Sequence, residues 1–200
     1  MRCPRLSLAA RCMAITVSVV SCTACLTLTE EPFAEKVQDD RIAGVWVKES
    51  TTWEEGPAVL SIARSEAGYI GWHGRERLPQ EPLVPLHLSS LSNGLWAQVE
   101  VPGEHCQKFM PFGSPSRCYL TAKVSGLPDR LVLSQPRPGY WVRRSLEGDI
   151  GAEHALVGAG GKGSTLWSLY LGSPMAAVAR VLGDAALPLE AFEPLVEYAR

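Results

Sequence analysis

Ser92-Asn93-Gly94-Leu95-Trp96-Ala97-Gln98-Val99-Glu100-Val101 is the stretch that decides the fold class. Asn93 and Gly94 tolerate the positive φ that tight hairpin turns require, so they mark a turn. Beyond them Leu95, Ala97, Val99 and Val101 alternate with Trp96, Gln98 and Glu100, the period of two of a pleated strand. One face is apolar and the other polar apart from Trp96. Such a strand covers a core with one side only.

Outward from this hairpin the same texture repeats. Segments 42–50, 58–64, 69–73, 83–89, 118–124, 131–134 and 140–144 are short and rich in branched and aromatic residues. Gly, Pro, Asn or Asp separates them, and Ser65-Glu66-Ala67-Gly68 makes a second clear turn. Short strands with turn signals between them predict a mainly β fold, an antiparallel sheet closed into a barrel or folded into a sandwich. After residue 144 the pattern loosens, and 165–171 reads as a last strand. Ser173 then stands as N-cap, Pro174 as the first helical residue, and Met175, Val178, Ala179 and Leu182 recur at helical spacing before Gly183. Pro188 and Glu190 open a second short helical segment carrying Leu189 and Phe192, which Pro194 kinks or breaks. The expectation is a small antiparallel barrel or roll with a C-terminal helical segment whose apolar stripe caps it.

The N-terminus carries an address. Arg2, Arg5 and Arg11 precede a weakly polar to apolar run, 13–20, that ends in small residues, the order of a secretory signal. That run is far shorter than the roughly 20 residues a membrane-spanning helix needs. Residues 1–21 are therefore read as signal peptide. Residues 22–40 are read as a tether, because they mix Thr, Glu, Asp, Lys and Gln around one aromatic, Phe33. Residues 41–200 are read as a single β-rich domain with C-terminal helices, long enough to bury one core.

The chain has 19 basic and 21 acidic residues, and three arginines lie in the signal. The remainder is mildly acidic and shows no basic stripe of the kind that binds nucleic acid. Of the cysteines beyond the signal, Cys106 and Cys118 bracket a loop-like stretch with Pro111, Gly113 and Pro115. In an oxidising compartment they are the natural pair, two separate buried thiols being the alternative. Cys25 reads as a free thiol.

No catalytic, cofactor or metal motif keeps its context. Gly158, Gly160 and Gly163 match G-x-G-x-x-G but lead into a strand rather than the helix that would hold a pyrophosphate. His73, His87, His105 and His154 fall singly, without the spacing of a zinc site. His105 and Cys106 are strand neighbours that point to opposite faces. Trp46, Trp53, Trp72, Trp96, Trp141 and Trp167 are spread over the sheet and either fill a core or line a cavity.

Two resemblances add to this reading. Val19-Val20-Ser21-Cys22 resembles the lipobox of bacterial lipoproteins, which implies a lipidated Cys22 as first mature residue, with Cys25 as a second candidate. Thr23 in place of Asp after that Cys implies the outer membrane of the bacterial cell envelope. Gly44-Val45-Trp46 is similar to the G-x-W of lipocalins, small barrels that hold apolar ligands and close with a C-terminal helix. There an Arg near the final strand packs over the Trp, a part for which Arg143 or Arg144 beside Trp141 is the candidate.

The expected function is a membrane-anchored binding or accessory module, with a small apolar ligand or an envelope protein as partner. The alternative is an enzyme acting on envelope material through acids or histidines dispersed in sequence.

Overall fold

A computed structural model describes residues 26–48, 58–74, 83–102, 106, 117–137, 140, 143–144, 146–148, 168–171, 175–188 and 191–200. Among the described residues the named elements run β1 (Leu26–Thr29), a 3-10 turn (Asp40–Ile42), β2 (Gly44–Lys48), β3 (Ala58–Ser65), β4 (Gly68–Gly74) and β5 (Val84–Leu91). They continue with β6 (Gly94–Pro102), β7 (Arg117–Ser125), β8 (Arg130–Pro136), β9 (Ser168–Leu171), α1 (Met175–Leu182) and β10 (Phe192–Ala199).

Eight of the strands close an antiparallel barrel in the order β2-β3-β4-β5-β6-β7-β8-β10. Ala199 opposite Val47 shuts the ring. Closure removes the unpaired edges that an open sheet exposes. All steps but the two that involve β10 join neighbours in sequence, and the tight turns at 66–67, 92–93 and 126–129 gather at one end. Gly94 at φ +129° and Gly68 at φ +131° carry the first two turns. Asn93 keeps a negative φ and uses its side chain instead, accepting from Trp96 Nε1 and donating to the Leu182 carbonyl.

The alternation of β6 is realised, with both faces buried. Ala97 and Val99 point inward, opposite Leu88 and Leu86 on β5 and Ala122 and Leu120 on β7. Trp96 and Gln98 point outward, yet both are fully buried. Over Trp96 lies a second apolar layer of Phe33, Leu171, Val178 and Leu182. The helix thus packs on the outer wall, rather than capping the barrel as its stripe suggested, and it precedes the last strand instead of following it.

Three further expectations are corrected. From Leu26 onward the stretch read as a tether belongs to the fold: Leu28 and Phe33 are buried, and β1 pairs antiparallel with β7 and parallel with β9. Its polar residues concealed this, because Thr29, Gln98 and Thr121 bond to one another instead of to water. Residues 140–144, expected as a strand, show helical backbone at Tyr140, Arg143 and Arg144. There the Arg143–Glu147 pair has the i,i+4 spacing of a helix. The second helical segment is instead β10, whose Val196 and Tyr198 alternate into the core. Pro194 is accommodated at a register shift between Pro194 and Val196, an irregularity where a missing N–H is tolerated.

Candidate functional site

The barrel has unlike ends. The end with the tight turns is sealed. Ile42, on the 3-10 turn that enters β2, and Trp46 are both buried there, and Trp46 Nε1 donates to the Ile42 carbonyl at 2.8 Å. Arg200 covers them from outside, its guanidinium 5.3 Å from the Trp46 ring centroid and bonded to the carbonyls of Ala43 and Pro128. Tyr69 holds the entering segment, accepting the Asp39 N–H at 2.8 Å. Asp39 is clamped by Arg41, whose hydrogen bonds hold its carboxyl below the usual carboxylate range.

At the other end β2, β4, β6 and β8 finish. Cys106 and Cys118 are disulfide-bonded at this end, with Cα atoms 5.9 Å apart. Both are buried with Leu28 and Val101. The bond therefore ties Cys106, beyond the end of β6, to the start of β7 in the wall.

Between these ends lies the barrel interior, and strand alternation assigns its lining. Leu60, Leu95, Val99 and Leu133 face inward and pack against the core, yet each stays partly exposed. Towards the mouth the lining turns polar. Lys48 follows Trp46 on the inward face of β2, His73 follows Tyr69 on β4 opposite Leu60, and Gln135 follows Leu133 on β8 opposite Glu193. Burial lowers the pKa of His73, and nearby Lys48 lowers it further, so the imidazole is neutral at pH 7. Deeper in, burial pushes the Tyr198 phenol up to about 12. Nearer the mouth, Gln135 Oε1 is buried with no hydrogen-bond partner among the described residues. Unpaired buried polar atoms of this kind are filled by water or by a ligand.

The residues singled out in the sequence are dispersed. Cys22, Cys25, Trp53, Trp141, Trp167, His105, His154 and the glycines at 158–163 lie outside the described residues. His73 faces the lumen, whereas His87 is on the outer wall, edge-on to Tyr119 at 5.9 Å, so the two do not meet. Among the described residues no group of three His, Cys, Asp or Glu side chains converges on one point, and no helix is long and apolar enough to cross a membrane. Arg200, rather than Arg143 or Arg144, packs over the G-x-W tryptophan. Lys48, Gln135 and Tyr198 were missed; counting by twos from Trp46 would have placed Lys48 inside.

Comparison with protein-family models, with curated proteins and with solved structures finds no match to the chain. The architecture is a closed eight-stranded antiparallel barrel, consistent with a lipocalin-like barrel.

Proposed function

We propose that this protein is a lipid-anchored binding module of the bacterial cell envelope, attached through Cys22, whose barrel lumen takes a small, largely apolar ligand. The observation that carries the reading is the partial exposure of Leu60, Leu95, Val99 and Leu133 on the inner face of a barrel that is sealed at one end. An eight-stranded barrel is just wide enough either to be filled by side chains or to hold one small ligand. Inward apolar groups that keep accessible surface belong to the second case. Polar groups near the mouth would orient the guest, as a few placed polar groups do in apolar pockets.

The test is direct. Native mass spectrometry of the protein purified from its host should show a retained small molecule, and Val99→Trp, which fills the lumen, should release it. A mass equal to that of the bare chain, together with unchanged fluorescence on titration with an apolar dye, would count against a ligand-binding lumen.

A further inference from the structure

From the register of β1 we infer that the barrel sits with its sealed end toward the lipid surface and its mouth facing the aqueous phase. The inference rests on the proposed lipidation at Cys22, and it fixes from which side the lumen exchanges its ligand.

Two lengths decide it. Leu28 stands opposite Leu120 and Thr29 opposite Tyr119, so by continuation Leu26 is level with Ala122. From that level β7 runs on to Arg117 at the mouth, about 17 Å at the rise of an extended strand. From Cys22 to Leu26 the chain reaches at most about 14 Å, even fully stretched. Direction adds to distance. β7 runs from the mouth to the sealed end, and β1 runs antiparallel to it, so at Leu26 the backbone points back toward the sealed end. A mouth-down placement demands an immediate chain reversal and then more length than four residues supply. A sealed-end-down placement demands no reversal, and the three residue steps of β7 from Ala122 to Ser125 span about 10 Å, within that reach.

The chemistry of the sealed end suits apposition without insertion. Three of its cations are paired, Arg41 with Asp39 at 2.6 Å, Arg64 with Asp40 at 3.3 Å and Arg130 with Glu197 at 2.9 Å, and its turns carry the acids Glu66 and Asp129. Of the exposed large apolar side chains among the described residues, Leu83 leads into β5 at the mouth, and neither it nor Leu146 lies in a sealed-end turn. The anchor alone therefore holds the barrel to the bilayer. A ligand then enters from the aqueous side, not from the leaflet beneath.

The full lipidated chain would be placed in phosphatidylcholine–phosphatidylglycerol vesicles with an energy acceptor on the lipid headgroups. A fluorophore is attached at Asp129→Cys, in the β7–β8 turn, or at Leu83→Cys, each with Cys25→Ser. Transfer from position 129 at least twofold greater than from position 83 is the expected result. Equal or greater transfer from position 83 overturns the orientation while leaving the anchor standing. Loss of transfer from both positions, matching the Cys22→Ala protein, overturns the anchor and the orientation with it.

Discussion

The guanidinium of Arg200 lies 5.3 Å from the centroid of the Trp46 ring and so ties the residue after the last barrel strand to the core of the first. It lies beside the closing pair of the ring, where β10 and β2 share one register pair, Ala199 with Val47. Gly44 makes room for it. At φ +149° it holds a conformation that L side chains rarely adopt, and a Cβ there would stand 3.4 Å from Arg200 Nη2.

Arg200→Ala removes a cation–π contact and two hydrogen bonds to carbonyls. It should lower stability by about 1–2 kcal/mol, a fall of a few degrees in Tm. Arg200→Lys should recover less than half, since an ammonium lacks the planar fork that reaches both Ala43 and Pro128. Urea unfolding of the three proteins measures this. Equal midpoints for wild type and Arg200→Ala would mean that the seal adds nothing to closure.

Gln98 is the polar pin of the N-terminal segment. It is fully buried on the outer wall, accepts the Phe33 N–H at 2.7 Å, and donates to the hydroxyls of Thr29 and Thr121 at 3.1 and 3.2 Å. Gln98→Leu keeps the volume but leaves these partners unsatisfied, at about 2–3 kcal/mol. Hydrogen exchange should then rise at residues 26–37 more than in β3 and β4. A uniform rise across the barrel would show that the segment folds and unfolds with the whole.

How far the fold was legible follows from which residues declare themselves locally. The strand at 95–101 and the turn at 92–94 are written in a period of two and one Asn-Gly pair, and both are present. The polar face of the same strand misled, because Gln98 and Thr29 look solvated until each supplies the other's partner across the chain. Phe192-Glu193-Pro194-Leu195-Val196 misled for a second reason. Pro188 and Pro194 signal a broken helix locally, while the barrel has an open seam that only a strand can fill, and a register shift absorbs the proline. Of the lumen, the G-x-W pattern announced Trp46. Its covering arginine was not readable, since Arg200 is brought there by closure and nothing near Trp46 in sequence points to it.

Stability should fall at both ends of the pH range. Tyr198, pushed up to about 12 by burial, stays protonated in the fold after the unfolded chain begins to ionise near 10. Its contribution is complete below pH 10 and is lost as pH rises toward 12, up to about 3 kcal/mol. His73 and His87 act in the opposite sense. Burial lowers both, with help from Lys48 and Lys36 respectively, so the unfolded chain protonates first. Their contribution is present above about pH 6.5 and is lost as pH falls below it. Urea midpoints from pH 5 to 11 would trace this dome. Tyr198→Phe should flatten the alkaline limb most, and an unchanged limb would remove Tyr198 from the lumen.

Gly183 is the tightest joint between the helix and the barrel. It directly follows the last helical residue, yet it is not among the glycines with positive φ. Space is its function: a Cβ there would lie 2.8 Å from the Ala179 carbonyl oxygen and 2.8 Å from the Leu91 Cβ. Neither neighbour can yield cheaply, since one is helix backbone and the other is the end of β5. The same contact is held by Asn93, whose amide donates to the Leu182 carbonyl at 2.6 Å while its oxygen accepts from Trp96 Nε1 at 3.0 Å. Gly183→Ala should therefore push α1 off the wall, expose part of Trp96, and cost about 1–3 kcal/mol by overpacking. Tryptophan emission should shift to the red as that ring meets water, before the barrel itself melts. Asn93→Ala, which loosens the joint without crowding it, should produce the same shift more weakly. If Gly183→Ala instead keeps the emission and the melting temperature of the wild type, the helix does not dock on the β5–β6 turn, and the second layer over Trp96 is held by Phe33 and Leu171 alone.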